Sequence, residues 1–299
     1  IRDRDCAQYA LGKIYRDGQG VEKDIQKAVA LFTLAATKEN SFAAFALGKL
    51  YLAGDAALPR DPAAALKWLT YAAELGNQFA QYRLGKLLLK GDDGIPKDVI
   101  TAIRWLTAAA KQENGYAEYA LALVYLTGED APKDSVKALS LLKRSAGRGN
   151  QFAQYRLGKL LLQGEDAPKD VKAAIRWLTA AAEQGNQYAQ YALGKLYLLG
   201  KEVPKDRSSA IKWFQLAADQ GNEYAQYFLK HMDDRLGQPP VAAVISLFHH
   251  LANIFQEQNQ PPPSGGVRVA VDRKLLRKIK AKKIAQGHKA DDHEPEMQL

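Results

Sequence analysis

Few side chains in this sequence could perform catalysis, and none of them stands in a catalytic pattern. The five histidines are His231, His249, His250, His288 and His293. On a helix the adjacent His249 and His250 would point about 100° apart, so they make a poor shared metal site. The histidines and aspartates of 288–293 are metal-compatible, but a solvated chain end explains them better. The sequence has no phosphate-binding loop, nucleophile elbow or cysteine–histidine pair. We therefore expect no catalytic residue, metal or cofactor.

Two columns of residues at a fixed spacing indicate binding instead. Aromatic residues recur every 36 or 37 positions, at Tyr9, Phe45, Tyr82, Tyr119, Tyr155, Tyr191 and Tyr227. Four residues later stand Lys13, Lys49, Lys86, Leu123, Lys159 and Lys195. Residues four apart lie on the same side of a helix. Such a ladder favours an extended partner that carries carboxylates. The alternative is that the tyrosines pack between repeats and the lysines are solvated. The predicted partner-binding residues are Tyr82, Lys86, Tyr119, Tyr155, Lys159, Tyr191 and Lys195.

A second candidate binding segment lies near the C-terminus, where the net charge of +9 is concentrated. Nine lysines and arginines stand between Val267 and Lys289 against Asp272 alone, so this stretch carries +8. Such a density of charge could neutralise several phosphates without reading sequence. Aromatic residues are not interleaved, so base stacking is not indicated. The predicted nucleic-acid contacts are Arg273, Lys274, Arg277, Lys278, Lys280, Lys282 and Lys283. The alternatives are that this charged stretch is only solvated, or that it docks on an acidic protein.

The elements that position these columns repeat along most of the chain. A Leu-Gly-Lys motif recurs at Gly12, Gly48, Gly85, Gly158 and Gly194, with Ala122 in the middle copy. A period of 36 or 37 residues is typical of a solenoid, in which each unit buries its apolar face against its neighbours. The pattern of each unit predicts two antiparallel helices, a first one that we call helix A and a second one that we call helix B. The small residue would let a neighbouring helix approach closely, and Asp98 is suited to cap a helix B. Gly76-Asn77 and its equivalents are suited to the C-cap of helix B.

These residues resemble a known repeat family. The combination Ala-x-x-x-Leu-Gly-x-x-Tyr, Gly, Pro-Lys-Asp, Ala-x-x-Trp, Ala-Ala and Gly-Asn is similar to Sel1-like repeats, relatives of the tetratricopeptide repeats, from Cys6 to Asn222. The resemblance implies an all-α, right-handed solenoid whose concave surface is lined by helix A. Two copies depart from the pattern at the helix B tryptophan, where we place Leu141 and Phe32. Both changes are apolar for apolar, so the fold prediction stands.

The chain divides into four predicted parts: a repeat solenoid over 1–236, a capping helix over 237–260, a Pro/Gly linker over 261–266, and a basic helical tail with an acidic, disordered end over 267–299. Cys6 is the sole cysteine, which fits a reducing, cytoplasmic location. No apolar run approaches the roughly 20 residues of a membrane span. The sequence starts inside a repeat helix without an initiator Met, so we expect a fragment of a longer protein.

The last third carries a second resemblance. HHLANIFQEQ, the proline-rich linker and VDRKLLRKIKAKKIAQGHKADDHE look like the C-terminal region of MobL-type relaxases of mobilisable bacterial elements. The resemblance implies a DNA-nicking domain that would precede Ile1. The sequence therefore favours a non-catalytic interaction scaffold, the C-terminal arm of a relaxase, with a protein partner on the concave face and nucleic acid or transfer machinery on the tail. The alternative is a free-standing adaptor in bacterial signalling or envelope regulation, without a DNA role. The oligomeric state is left open.

Overall fold

The computed structural model describes residues 2–91 and 94–232. This part of the chain folds into thirteen α-helices: α1 (Arg2–Asp17), α2 (Ile25–Ala36), α3 (Ser41–Ala53), α4 (Pro62–Glu74), α5 (Gln78–Lys90), α6 (Val99–Lys111), α7 (Gly115–Thr127), α8 (Ser135–Gly147), α9 (Gln151–Gln163), α10 (Val171–Glu183), α11 (Gln187–Leu199), α12 (Arg207–Asp219) and α13 (Glu223–Met232). An isolated bridge between Asp55 and Leu58 is the one extended pairing in these residues.

Odd-numbered helices are the predicted A helices and even-numbered helices are the predicted B helices. Each A helix packs extensively on the B helix that follows it, and that B helix packs on the next A helix. The buried residues are mostly alanine and leucine, and they form a core that continues from one repeat to the next. Because each unit buries its apolar face only against neighbours, this is a helical-repeat solenoid. The prediction of an all-α solenoid is confirmed.

The A helices begin at asparagines that cap their free backbone amides. The Asn77 side-chain oxygen accepts hydrogen bonds from the Phe79 and Ala80 amides at 3.1 and 3.0 Å. Gly76 alone adopts the left-handed conformation, with φ of +84°, whereas Asn77 has an ordinary φ of −69°. Our assignment of both residues to the C-cap of helix B was therefore wrong for the asparagine. Glycine turns the chain, and asparagine starts the next helix.

The B helices begin at aspartates, as the sequence predicts. The Asp98 carboxylate accepts a hydrogen bond from the Thr101 amide at 3.0 Å. That bond holds the pKa of Asp98 below its ordinary value, because it favours the charged form. Asp170 and Asp206 cap α10 and α12 in the same way. The turn between helix A and helix B thus ends at a capping aspartate, which belongs to a Pro-Lys-Asp motif in the last four repeats.

The small residue of helix A leaves a notch, which is a gap in the helix surface that a side chain of helix B fills. A Cβ atom added to Gly85 would lie 2.6 Å from Leu106 Cγ, so the two helices touch where the side chain is missing. Phe32 fills the equivalent space beside Gly12. We had placed Phe32 at the tryptophan position, and this was wrong: eight residues after its capping aspartate, it is equivalent to Leu69, while Leu31 stands where Trp68 stands. The predicted close approach is confirmed.

The described helices end at Met232, four residues short of the predicted solenoid boundary at 236. The capping helix over 237–260, the linker over 261–266 and the tail over 267–299 lie outside the described residues, and these three assignments stay predictions.

Candidate protein-binding face

The predicted tyrosine column packs between repeats. Each column aromatic contacts the second residue of the next A helix, which is also aromatic. The ring centroids are 5.9 to 6.4 Å apart in the six pairs Tyr9–Phe42, Phe45–Phe79, Tyr82–Tyr116, Tyr119–Phe152, Tyr155–Tyr188 and Tyr191–Tyr224. Burial raises the pKa of Tyr82, Tyr119, Tyr155 and Tyr191. The column tyrosines are therefore half-buried stacking residues, and a contribution to partner binding stays a prediction.

Four of the six partner rings, those of Phe42, Phe79, Tyr116 and Tyr188, are exposed. Phe42 is 52% exposed, Phe79 is 48% exposed and Tyr188 is 47% exposed. Our sequence reasoning missed this row, although each member stands two residues after the asparagine that caps its helix. Exposed aromatic rings therefore lie near the start of α3, α5, α7 and α11, each packed against a ring of the preceding A helix.

The predicted lysines lie on the same side of helix A as the column aromatics. Lys13 Nζ lies 5.9 Å from the Tyr9 ring centroid, and Lys49 Nζ lies 5.8 Å from that of Phe45. Lys86 and Lys159 are exposed, and Lys195 is half-buried. Burial is the largest cause that lowers the pKa of these three lysines, and neighbouring cations add to it. The ammonium groups are thus surrounded by protein atoms without being fully covered.

Two arginines and one further lysine extend this charged surface. Arg83 and Arg156 stand three residues before Lys86 and Lys159, and Lys90 stands four residues after Lys86. The sequence reasoning missed them because they occur in only two repeats. Arg83, Lys86, Lys90, Arg156 and Lys159 make no hydrogen bond or ion pair with any other described residue. The Arg156 Nε is buried and lacks a hydrogen-bond partner.

Lysines in the turns between helix A and helix B form ion pairs within the chain. In four turns the lysine directly before the capping aspartate reaches an acidic residue in the next repeat. The ammonium–carboxylate distances are 2.8 Å for Lys23–Asp55, 2.6 Å for Lys97–Asp130, 2.7 Å for Lys133–Asp166 and 2.7 Å for Lys169–Glu202. These exposed pairs tie neighbouring turns together. Arg83, Lys86, Lys90, Arg156 and Lys159 therefore differ from these turn lysines in having no ion pair within the described residues.

The fourth repeat carries a buried ionic cluster. Glu118 in α7 is fully buried, with its carboxylate oxygens 2.6 Å from Arg144 Nη2 and 3.3 Å from Arg148 Nε. In the neighbouring repeats a glutamine pair fills these positions. There the Gln112 amide donates to Gln81 Oε1 at 2.8 Å, and the Gln184 amide donates to Gln154 at 2.8 Å. Sequence reasoning missed this cluster because its members are 26 to 30 residues apart.

Other predicted site residues lie outside the described part of the chain. These are the tail cations Arg273, Lys274, Arg277, Lys278, Lys280, Lys282 and Lys283 and the histidines at 249, 250, 288 and 293. Among residues 2–91 and 94–232 we find no group of three or more His, Cys, Asp or Glu side chains that could hold a metal ion. Within the same residues, each helix is too short or too polar to cross a membrane.

The fold and the ladder define a helical-repeat scaffold. Six copies of the Sel1 repeat match residues 7–40, 41–77, 78–114, 115–150, 151–186 and 187–222. The chain therefore belongs to the Sel1 repeat family, whose fold is typically a non-catalytic scaffold suited to protein–protein interaction. A comparison with curated proteins found no match.

Solved structures agree with this assignment. A Sel1 repeat protein from Oxalobacter formigenes is 34% identical with a TM-score of 0.70, over 77% of this chain and 66% of its own. A protective antigen present in uropathogenic Escherichia coli strains, displaying an SLR fold, is 29% identical with a TM-score of 0.70. That alignment covers 88% of this chain and 58% of the antigen. The chain thus spans about three fifths to two thirds of these two structures.

Proposed function

We propose that this chain is an interaction scaffold whose A helices hold an extended, acidic segment of a protein partner. The observation that carries the proposal is the set of helix A cations without internal partners. In α5 and α9 these are Arg83, Lys86, Lys90, Arg156 and Lys159. From α3 to α11 the only acidic residue of an A helix is Glu118, and it is buried against arginines. The A helices of this region therefore carry a net positive charge.

The local environment strengthens this charge. Lys86, Lys159 and Lys195 have a lowered pKa because protein atoms and other cations surround them. A carboxylate placed among them would relieve the repulsion and replace lost hydration. The exposed edges of Phe79 and Tyr188 lie on the same A helices and offer apolar contact. An acidic segment with some apolar side chains matches both features.

A charge-reversal experiment tests the proposal. The triple variant Lys86→Glu, Lys159→Glu, Lys195→Glu is compared with a control that reverses Lys67 and Lys172, two exposed lysines of the B helices. The probe is a fluorescent twelve-residue peptide rich in glutamate, titrated against the full chain. We expect the triple variant to bind about tenfold more weakly or worse, because attraction becomes repulsion. Equal affinity in wild type and a folded triple variant would remove the helix A lysines from the function.

We also propose, as a second candidate, that the scaffold is the C-terminal arm of a DNA-mobilising relaxase. Its support is the sequence of the tail: the likeness to MobL-type relaxases and the net charge of +8 between Val267 and Lys289. Replacing the seven predicted tail cations with glutamine should abolish most duplex DNA binding and flatten its salt dependence. If wild type and variant bind DNA with the same salt slope, the tail does not contact DNA.

The free-standing adaptor differs from the relaxase arm in what precedes Ile1. A histidine–metal motif and a nucleophilic tyrosine encoded upstream would favour the relaxase. A start codon or signal peptide directly before Ile1 would favour the adaptor.

A further inference from the structure

From α5 to α11 the basic residues of the A helices fall into two groups. The first group lies on α5, where Arg83, Lys86 and Lys90 follow the i, i+3, i+7 spacing of a single helical stripe. The second group lies on α9 and α11 and contains Arg156, Lys159 and Lys195. Helix α7 separates the two groups. The positive charge of the face is therefore interrupted rather than continuous.

Helix α7 is apolar at the positions that carry charge in its neighbours. Leu123 stands where Lys86 and Lys159 stand, and Ala120 stands where the arginines stand. Glu118 is the only charged residue of α7, and it is fully buried against Arg144. What α7 offers a ligand is the half-buried Leu123 and the exposed ring of Tyr116. The fourth repeat is thus an apolar site between two basic sites.

We infer that the segment held by the A helices is bipartite, with two acidic clusters on either side of an apolar side chain. This inference rests on the proposed function and specifies its ligand. One acidic cluster would lie over Arg83, Lys86 and Lys90, the apolar side chain over Leu123, and the other cluster over Arg156 and Lys159. Charge complementarity at both ends and the uncharged α7 between them select this occupant.

The spacing of the two clusters follows from the repeat. Helices α5 and α7 are in contact, and packed helices lie roughly 10 Å apart. The two basic groups are two repeats apart, which gives about 20 Å. An extended chain advances about 3.3 Å per residue, so the acidic clusters should be about six residues apart. A nucleic acid differs from such a segment because its charge is uniform along the backbone.

A set of matched peptides tests the inference against the full chain. The bipartite peptide has two glutamate pairs six residues apart with a central phenylalanine. A second peptide has the same composition with the four glutamates adjacent, and a third replaces the phenylalanine with serine. We expect the bipartite peptide to bind about tenfold more tightly than either, because only it occupies both basic groups and α7. A single-stranded oligonucleotide of equal charge should compete poorly.

Variants of the chain locate the binding sites. Changing Arg83 and Lys86 to glutamate should weaken binding of the bipartite peptide, and so should changing Arg156 and Lys159. Changing all four residues should abolish binding. Leu123→Lys joins the two basic groups, so the preference for the bipartite peptide over the contiguous one should shrink severalfold. Leu123→Ser, which adds no charge, should weaken the bipartite peptide and leave the serine peptide unchanged.

The outcomes separate this inference from the proposed function. If the bipartite and contiguous peptides bind equally and both weaken on charge reversal, the bipartite inference is wrong while acidic-segment binding stands. If neither peptide responds to reversal of the helix A cations in folded variants, the proposed function is wrong as well. Equal competition by the oligonucleotide would overturn the choice of a protein ligand.

Discussion

The notch at Gly158 gives the sharpest stability prediction. A Cβ atom at this position would lie 2.7 Å from Leu178 Cγ and 3.0 Å from the Ala174 carbonyl oxygen. Neither atom is the free end of a flexible side chain, because one is a branch point and the other is backbone. Gly158→Ala therefore forces α10 away from α9 along the full length of their contact.

The magnitude is set by two opposing effects. Overpacking a close-packed core lowers the unfolding free energy by about 1–3 kcal/mol. The higher helix propensity of alanine relative to glycine raises it by up to about 1 kcal/mol. We expect Gly158→Ala to lose about 1–2 kcal/mol of unfolding free energy. Gly147→Ala is the matched control, since a Cβ atom there meets no atom within 4 Å. It should be as stable as wild type or slightly more stable.

Urea unfolding, followed by circular dichroism and tryptophan fluorescence, measures the difference. The two probes must give coincident transitions before a single free energy is assigned, because long repeat arrays can unfold in stages. A Gly158→Ala chain as stable as Gly147→Ala would refute the close-approach argument. It would mean that helix B can move to accommodate the added methyl group without loss of packing.

Three further predictions concern charged residues. The pKa of Asp98 is lowered in the folded chain, so its stabilising effect is present above the ordinary aspartate pKa and is lost as pH falls through the lower, folded value. Asp98→Asn keeps the cap without titrating, so its urea midpoint should fall less than that of wild type between pH 5 and pH 2. Glu118→Ala removes the buried carboxylate that Arg144 and Arg148 share, although Arg144 keeps the Ala110 carbonyl and Arg148 keeps Glu113, and should lower the unfolding free energy by about 1–3 kcal/mol. Glu118→Gln with Arg148→Gln rebuilds the glutamine pair of the other repeats and should be more stable than Glu118→Ala in the same urea titration. Lys133→Met removes the exposed pair with Asp166 and should change the unfolding free energy by less than about 1 kcal/mol, a difference that 1 M salt should erase.

The repeat unit was predictable from sequence because each of its parts has a local cause. The period, the notch glycines and the capping aspartates recur in nearly every copy, and each acts within its own repeat. A constant period of 36 residues places Phe32 opposite Trp68, but the period is not constant. The turn of the second repeat is one residue longer, with thirteen positions from Gly48 to Asp61 but twelve from Gly12 to Asp24. A register taken from the capping aspartate avoids this error.

The features that set the candidate site apart were not predictable in the same way. The ring pairs such as Tyr82–Tyr116 and the cluster around Glu118 join residues 26 to 34 positions apart. Their contact depends on how successive repeats stack, and a single-repeat pattern does not contain that information. Sequence periodicity also favoured the tyrosines as ligands because they recur. In the structure the recurring tyrosines stack between repeats, and two of the cations without internal partners, Arg83 and Arg156, occur in two repeats only.

Photo-crosslinking tests the central claim most directly. A benzoylphenylalanine placed at Lys86 or Lys159 in the full chain should capture the bipartite acidic peptide upon irradiation. The same probe at Lys172, on the outside of α10, should not. Capture from Lys172 with none from Lys86 or Lys159 would place the partner on the B helices and contradict the account.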